Sequence, residues 1–355
     1  MKTITVFLGA RCNAHCAYCH ADKRREGSSD PSPLFSRYLK ETGKPGDGLT
    51  IWFLGGEPTL YMNTIRTIVD LCSGREVSYM VTTNGLRLSE DEIVDYFNYH
   101  NFYVNVSYDG VRGIRGYDDV FYRPEYSFNL RRLKKLGCSM TLSRENADLY
   151  KVAAEFGQIE NLLGRVLPFR PHYAHATMKT LLKRRFTRSQ ASQYTEDYIK
   201  LLKKFILDYQ IGLFNINLYP LFKVMWANVQ SNYQFPETRC FNQNHIHIDL
   251  RGNIYLCPYR RTGPDFLATL EKESECLANL ATIIESRRPR CLSCELYRYC
   301  GSYCLASVDA DQECYIQKRL ISWFVNEMNR NKLDYASLPE QEYAKCTGGY
   351  NELSR

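Results

Sequence analysis

Short apolar segments rich in β-branched and aromatic residues alternate with segments of helical periodicity through the first half of the chain. The predicted strands are 2–8, 49–54, 77–82, 102–107, 139–143 and 166–173. Strands separated by amphipathic helices form βαβ units, and such units build a parallel sheet. Six units are too few to close a (β/α)8 barrel, so the sequence predicts an α/β fold with an open, partial (β/α)6 TIM-like barrel.

Helical periodicity and capping signals place the helices. The predicted helices are 34–42, 62–72, 89–99, 125–137, 147–163, 188–209 and 314–332. Ser89 with Glu92 three residues later predicts a capping box at the start of the third helix. Gly137 is the expected C-cap of the fourth helix. A further short strand is predicted at 214–218.

Polar, glycine-rich or cysteine-rich motifs directly follow the first four strands. They are the run Arg11–His20 with its three cysteines, Gly55-Gly56-Glu57-Pro58, Thr82-Thr83-Asn84-Gly85 and Ser107-Tyr108-Asp109-Gly110. The carboxyl ends of parallel barrel strands meet at one rim, where the loops converge and active sites form. The sequence therefore predicts that these motifs share one site.

Three thiols in ten residues are the strongest chemical signal in the chain. Cys12, Cys16 and Cys19 follow the first strand in the order Cys-x3-Cys-x2-Cys. Iron–sulfur clusters are normally held by four Cys thiolates, so three would leave one iron open to a substrate or cofactor. A zinc site would instead need four protein ligands, with His15 or His20 as the fourth. The spacing alone leaves both interpretations open.

Composition narrows the class of protein. The 355 residues are 44% hydrophobic and 24% charged, as in globular proteins, and the net charge is +7. This mild basic bias, including Lys183–Arg185, indicates a solvated face, and a nucleic-acid partner is not expected. No apolar run approaches the roughly 20 residues that cross a membrane, and no signal peptide is recognisable. A cytoplasmic protein is expected, in which 14 cysteines indicate metal binding and not disulfides.

The second half of the chain changes character after about residue 230. Eight of the cysteines lie between Cys240 and Cys314, and regular periodicity is scarce there. The predicted domains are a barrel at 1–225, a small cysteine-rich domain with little regular structure at 226–332, and a polar tail at 333–355. The scattered Cys72, Cys138 and Cys346 are expected to behave as small buried hydrophobic residues.

The three-cysteine loop, with Tyr18 before its third cysteine and Gly55-Gly56-Glu57-Pro58 one unit later, resembles the radical S-adenosylmethionine (radical SAM) superfamily. The resemblance implies a [4Fe–4S] cluster on Cys12, Cys16 and Cys19 whose open iron binds SAM. One electron would then cleave SAM to a 5′-deoxyadenosyl radical, which abstracts hydrogen from a substrate. By the same resemblance, the expected SAM contacts are Tyr18, Gly55, Gly56, Glu57, Asn84, Ser107 and Ser143.

The later cysteines are similar to the seven-cysteine pattern of the SPASM domain, which holds two auxiliary [4Fe–4S] clusters. The resemblance assigns Cys240, Cys257 and Cys304 to auxiliary cluster I. It assigns Cys291, Cys294, Cys300 and Cys314 to auxiliary cluster II. Cluster I is then one thiolate short, so Cys276 is a candidate ligand, the alternative being an iron left open for substrate. A zinc ribbon would not explain Cys240, Gly252 and Cys257.

Together these resemblances imply an oxidoreductase of the peptide-modifying branch that forms crosslinks or dehydrogenates a side chain. The implied cofactors are three [4Fe–4S] clusters and SAM. The implied partners are a peptide or protein substrate and a flavodoxin- or ferredoxin-type electron donor. No winged-helix recognition domain precedes the first strand, so the barrel and tail, or a separate recognition protein, are expected to read a precursor peptide.

Two other functions remain as alternatives: a radical SAM dehydrogenase for an alcohol or sugar, and a non-enzymatic zinc or iron–sulfur module. One departure from the resemblance bears on them. Pro258 stands where sulfatase-maturing enzymes of this family have an aspartate base. Formylglycine formation is therefore not expected, and a deprotonation would have to use Tyr259, Asp109 or another residue that the sequence does not identify.

Overall fold

The computed structural model describes residues 2–16, 19, 30–42, 48–116, 119–167, 169–173, 185–213, 218–257, 263–302, 305 and 310–331. Its strands are β1 Lys2–Phe7, β2 Leu49–Leu54, β3 Val77–Thr83, β4 Tyr103–Ser107, β5 Lys135–Leu142, β6 Phe169–Tyr173, β7 His245–Asp249, β8 Asn253–Tyr255 and β9 Phe266–Thr269. In this part of the chain they form one nine-stranded sheet in the order β6-β5-β4-β3-β2-β1-β7-β8-β9. The six predicted strands, all parallel to their neighbours, are confirmed as an open α/β sheet.

The helices of the described residues connect and cover these strands. They are α1 Pro33–Glu41, α2 Met62–Leu71, α3 Asp91–Tyr99, α4 Pro124–Arg132, α5 Leu149–Leu163, α6 Arg188–Gln210, α7 Tyr219–Ser231, α8 Cys276–Arg287, α9 Tyr297–Cys300 and α10 Ala310–Asn331. Short 3₁₀ helices follow β2 at Pro58–Tyr61 and β5 at Arg144–Asn146. No described helix is both apolar and long enough to cross a lipid bilayer.

The sheet has one apolar and one polar face, because successive strand side chains point to opposite sides. Ile4, Ile51 and Val81 lie on the apolar face and are fully buried in the core with residues of α1 to α5. The polar face carries Thr5 paired with Trp52, and Thr82 paired with Asn105. Several of its side chains are half-buried, and not packed in an apolar core. This face is the interior of the partial barrel.

An aromatic cluster fixes the middle of the apolar face. The rings of Phe53, Tyr79 and Phe102 stack with centroid distances of 6.4, 5.8 and 5.1 Å. Phe97 of α3 joins them, 4.9 Å from Phe102. Each such pair contributes about 1 kcal/mol beyond the apolar area that it buries. The cluster therefore holds β2, β3 and α3 in one arrangement.

The cysteine-rich segment continues the barrel sheet. Strand β7 pairs in parallel with β1, placing His245 opposite Thr3 and His247 opposite Thr5. Strands β8 and β9 then follow in antiparallel pairing, with Gly252 at φ +89° in the β7–β8 turn. The strand that leads into the first cysteine loop is thus flanked by β2 on one side and by the cysteine-rich segment on the other.

Two local expectations are wrong. Helix α3 begins at Asp91, its N-cap Glu90 makes no side-chain capping bond, and Glu92 pairs with Arg66 instead of closing a capping box. Helix α4 ends at Arg132, and Gly137 lies inside β5 opposite Asn105. A Cβ on Gly137 would overlap the hydroxyl of Tyr103. Glycine is present there for close packing across the sheet, not for a helix end.

Three further sequence predictions concern the short strand at 214–218, the tail at 333–355 and the domain boundary. Residues 214–217 of the predicted short strand and the tail at 333–355 lie outside the described residues. The predicted domain boundary at 225–226 falls within α7. Phe222 of α7 packs 4.8 Å from Phe205 of α6 and 5.4 Å from Phe324 of α10. The domain limits themselves stay a prediction.

The glycine in β5 provides a test of the sheet packing. We expect Gly137→Ala to lower the free energy of unfolding by about 1–3 kcal/mol, because the added methyl group meets Tyr103. Urea denaturation measures the change. The matched control is Gly157→Ala in α5, where no atom beyond the adjacent residues and the local helix backbone lies within 4 Å of the added Cβ. That variant should gain roughly 0.5–1 kcal/mol from helix propensity, and equal losses in both would contradict the packing argument.

Candidate active site at the carboxyl end of the sheet

The loop after β1 brings three thiols together. The backbone N–H of Cys19 donates to the Cys16 carbonyl at 3.0 Å, and that of Ala14 donates to Cys12 Sγ at 3.4 Å. Burial raises the pKa of Cys16, Arg115 lowers it, and Cys19, Asp109 and Cys12 raise it further. Cys12 and Cys19 therefore both lie close enough to Cys16 for their charges to interact.

The two glycines after β2 allow this loop to pack directly on the next one. The N–H groups of Gly56 and Glu57 donate to the carbonyls of Gly9 and Arg11, each at 2.8 Å. A Cβ on Gly55 would lie 2.7 Å from the Gly9 carbonyl oxygen, and one on Gly56 would overlap the Arg11 carbonyl oxygen. The glycines are thus required for backbone contact with the three-cysteine loop.

Glu57 is fully buried, and its carboxylate accepts four hydrogen bonds. Oε1 accepts from the Thr59 N–H at 3.0 Å, the Thr59 hydroxyl at 2.6 Å and the Thr83 hydroxyl at 2.7 Å. Oε2 accepts from the Asn84 N–H at 2.7 Å. Burial raises the pKa of this carboxyl, and the hydrogen bonds from Asn84, Thr59 and Thr83 oppose the rise. Through these hydrogen bonds, the Glu57 side chain connects the end of β3 to the loop after β2.

Asn84 extends this connection to the cysteines. Its Nδ2 donates to Asn13 Oδ1 at 2.7 Å and lies 3.9 Å from Cys12 Sγ, while its Oδ1 accepts from the Leu86 N–H at 2.9 Å. The residue is buried. The ends of β1, β2 and β3 are therefore joined by one chain of hydrogen bonds that includes the predicted motif residues.

The remaining predicted SAM contacts are Ser107, Ser143 and Tyr18, and they differ in their surroundings. Ser107 ends β4, half-buried and opposite Ser139 of β5. Ser143 is buried, and its hydroxyl donates to Glu145 at 2.7 Å as part of the cap of the Arg144–Asn146 helix. Tyr18 lies outside the described residues. The structure places Ser107 and Ser143 at the same edge of the sheet as the cysteine loop.

Sequence reasoning missed an ion pair beside the cysteines. Arg115 Nη2 donates to Asp109 Oδ1 at 2.7 Å, and both side chains are buried. The same carboxylate oxygen accepts from the Thr141 N–H at 2.8 Å. Asp109, named from the sequence as an alternative base, is therefore held in an internal ion pair. The sequence offers no signal that selects Arg115 among the basic residues of its loop.

Four later cysteines also come together. Burial raises the pKa of Cys300 to about 12, and Cys291, Cys314 and Cys294 raise it by their charges. Cys291 and Cys294 act on Cys314 in the same way, and the Cys294 N–H donates to the Cys291 carbonyl at 3.2 Å. These are the four cysteines assigned by resemblance to auxiliary cluster II.

The cysteines assigned to auxiliary cluster I flank the β7–β8 hairpin. Cys240 precedes β7, where its backbone approaches the buried ring of His247, and Cys257 follows β8. Cys304 lies outside the described residues. Cys276, by contrast, is a buried core residue at the start of α8. Burial raises its pKa to about 12, and the charges that act on it are Glu273, Glu275 and Lys2, with no described auxiliary cysteine among them.

The donor chemistry fits iron–sulfur clusters. Soft thiolates converge at the end of β1 and again around Cys300, and such ligands select iron–sulfur clusters, zinc and copper(I) over hard cations. In the described part of the chain, no group of three or more His, Cys, Asp or Glu residues is arranged to hold a single metal ion. Cys12, Cys16 and Cys19 are soft donors of the kind that could hold an iron–sulfur cluster.

The buried carboxylate gives a stability test. Glu57→Gln replaces one acceptor oxygen by an NH₂ group that faces hydrogen-bond donors, so we expect the free energy of unfolding to fall by about 2 kcal/mol. Chemical denaturation of the two proteins measures it. The control is Glu92→Gln, whose side chain is 78% exposed in its pair with Arg66 and should change stability by less than about 1 kcal/mol. An unchanged free energy of unfolding in Glu57→Gln would contradict the role of this side chain in joining the ends of β2 and β3.

The sequence is similar to one protein family and to two individual proteins. Residues 6–142 match the model of the radical SAM superfamily. An uncharacterised protein of Methanocaldococcus jannaschii is 30% identical over 117 residues, which are 31% of this chain and 40% of that protein. The chain thus spans less than half the length of that relative. The radical SAM cyclopropyl synthase TigE of Paramaledivibacter caminithermalis is 21% identical over 87% of this chain and 69% of its own.

Solved structures share the fold. The enzyme anSMEcpe with bound S-adenosylmethionine superposes with a TM-score of 0.67 at 14% identity, covering 93% of this chain and 98% of its own. SuiB of Streptococcus suis, bound to its precursor peptide SuiA, superposes with a TM-score of 0.51 at 16% identity, over 86% of this chain and 72% of its own. The rim motifs after the first four strands all lie within residues 6–142, the part of this chain that matches the radical SAM superfamily model.

Proposed function

We propose that the protein cleaves SAM reductively at Cys12, Cys16 and Cys19 and uses the resulting radical to modify a peptide or protein side chain oxidatively. The observation that carries the proposal is the three-thiol loop at the end of β1, joined to the two neighbouring strand ends by Glu57 and Asn84. A cluster with an open iron needs a ligand brought from outside the chain, and this rim of the sheet is where such a ligand would bind.

When bound, the cluster and SAM supply the electron transfer and the radical, and the chain supplies placement. We assign the SAM contacts to the backbone of Gly55 and Gly56 and to Ser107, with Asn84 beside Cys12. The Glu57 carboxylate is saturated by four donors within the chain, so we give it the role of fixing the glycine backbone. Ser143 would support the rim from its capping position.

The polar inner face of the sheet supports the proposal that the substrate is a peptide. Trp52, Thr82 and His245 are half-buried there, and they supply an aromatic surface and hydrogen-bonding groups. Related structures contain peptides: anSMEcpe with the Cp18Cys peptide and SuiB with its precursor peptide. The similarity to a cyclopropyl synthase supports bond formation between substrate atoms as one outcome. We further propose a cytoplasmic location, a flavodoxin- or ferredoxin-type electron donor and, for a precursor peptide, a separate recognition protein.

We propose that the auxiliary clusters accept the electron of the substrate radical or hold the substrate. The mutual charge effects of Cys291, Cys294, Cys300 and Cys314 support cluster II as a four-thiolate site. Cys240, Cys257 and Cys304 would hold cluster I. The position of Cys276 in the core supports the alternative in which cluster I keeps an open iron.

Anaerobic reconstitution tests the whole proposal. We expect about twelve irons with equal sulfide per chain, as three four-iron clusters require, and 5′-deoxyadenosine formation from SAM and dithionite. Cys16→Ala should abolish 5′-deoxyadenosine, because the first cluster loses a ligand. Cys72→Ala is the control, since that thiol is buried in the core and its loss should leave the product unchanged. Zinc without labile sulfide, or continued cleavage by Cys16→Ala, would refute the proposal. Turnover of an alcohol or sugar without peptide would favour the small-molecule dehydrogenase.

The role of Cys276 has its own test. We expect Cys276→Ala to keep the full iron content after reconstitution, because its thiol lies among Lys2, Glu273 and Glu275. Cys257→Ala should lose up to about four irons, the content of one cluster. Iron analysis and the visible absorption band of the two variants measure the difference. A matching loss in Cys276→Ala would instead make it the fourth ligand of cluster I.

A further inference from the structure

A buried ion pair lies within the loop after β4, next to the three-cysteine loop. Arg115 is 8% exposed and Asp109 is 1% exposed, and their side chains meet at 2.7 Å. Residue Gly116, directly after Arg115, packs on the cysteine loop: a Cβ there would lie 3.3 Å from the His15 carbonyl oxygen. Its φ of +74° suits glycine. The cation is therefore carried on a segment in contact with the residue that precedes Cys16.

The two ends of the pair are anchored differently. The Asp109 carboxylate accepts from the Thr141 N–H of β5 at 2.8 Å, and its backbone carbonyl accepts from Asn146 Nδ2 at 2.7 Å. These contacts hold the anion on the β5 side. Arg115 directly precedes Gly116, the residue that packs on the His15 carbonyl. The positive end of the pair is thus the end carried on the segment that contacts the cysteine loop.

A buried cation beside a cluster ligand has a predictable electrostatic consequence. When one electron passes from a reductant to a [4Fe–4S]²⁺ cluster, it becomes [4Fe–4S]⁺ and the site gains one negative charge. Charges act more strongly across a protein interior than through water. Nearby charge and hydrogen bonding are among the features that set the reduction potentials of such clusters. A fixed guanidinium on the segment that contacts the three-cysteine loop should stabilise the reduced state of the cluster.

We propose that Arg115 is a positioning residue that raises the reduction potential of the cluster held by Cys12, Cys16 and Cys19, acting from the segment that packs on the cysteine loop. Asp109 orients the guanidinium and offsets part of its charge. The inference rests on the proposed function, because it requires a cluster at these cysteines. It explains why an ion pair is buried at the rim, where two charges would otherwise incur a desolvation cost.

The test is an EPR-monitored redox titration of the reconstituted full chain without SAM. The first cluster is identified as the signal that changes on SAM addition and is absent in Cys16→Ala. At the potential that half-reduces the wild-type cluster, we expect Arg115→Met to lower the ratio of reduced to oxidised cluster about tenfold, equal to a 59 mV shift for one electron. Arg115→Lys keeps the charge and should stay close to wild type.

We expect Asp109→Asn to shift the reduction potential of the first cluster in the opposite direction to Arg115→Met. The amide keeps an acceptor for the Thr141 N–H but removes the negative charge, so the ratio of reduced to oxidised cluster should rise. This variant also tests the inference if Arg115→Met does not fold. Arg112→Met is the matched control, since Arg112 is 58% exposed and pairs with Glu155 at 3.4 Å, and its midpoint should not move.

The outcomes separate this inference from the proposed function. Unchanged midpoints in both Arg115→Met and Asp109→Asn, or shifts of the two in the same direction, would overturn the role of Arg115 while leaving the cluster in place. A wild-type protein without any SAM-responsive signal that depends on Cys16 would overturn the proposed function itself. Opposite shifts, with Arg115→Lys and Arg112→Met near wild type, establish the assignment.

Discussion

The buried carboxylate of Glu57 is the interaction on which the geometry of the rim depends. A fully buried charge is costly unless hydrogen bonds satisfy it, and here four donors do so. Two of those donors belong to β3 and its end, so the carboxylate is satisfied only when the ends of β2 and β3 keep their separation. Asn84 in turn contacts Asn13 and Cys12 through its Nδ2 atom, so the cysteine loop is connected to the same strand ends. Glu57 therefore helps to position Cys12 indirectly, through Asn84.

The two-faced sheet explains how both cysteine sets come to share one framework. The apolar face is buried under helices, and the polar face stays partly open. Because β7 adds to the sheet beside β1, Cys240 and Cys257 bracket a hairpin that continues the same surface. Under the proposed function, a substrate on the inner face would have the first cysteine loop at the rim and Cys240 and Cys257 along one edge. Such a placement would suit a radical that starts at one cluster and an electron that is removed at another.

Local sequence signals predicted much of the fold. The period-2 and helical patterns located all six barrel strands and their connecting helices, and the rim motifs fell at the strand ends as expected. The errors arose where a contact across the sheet overrides a local preference. Gly137 looked like a helix cap, but the Tyr103 hydroxyl occupies the space that a side chain would need. Glu92 suited a capping box, but Arg66 of the preceding helix is available to it as a partner.

The sequence by itself determined the α/β alternation and the spacing of the cysteines, because both depend on residues a few positions apart along the chain. Only the tertiary structure decided the partners of Glu57, the burial of the Arg115–Asp109 pair, the burial of Cys276 in the core and the pairing of β7 with β1. These features depend on residues that are separated by many positions in sequence. The free energy that selects them comes from burial and hydrogen-bond satisfaction in the folded chain, which no local pattern encodes.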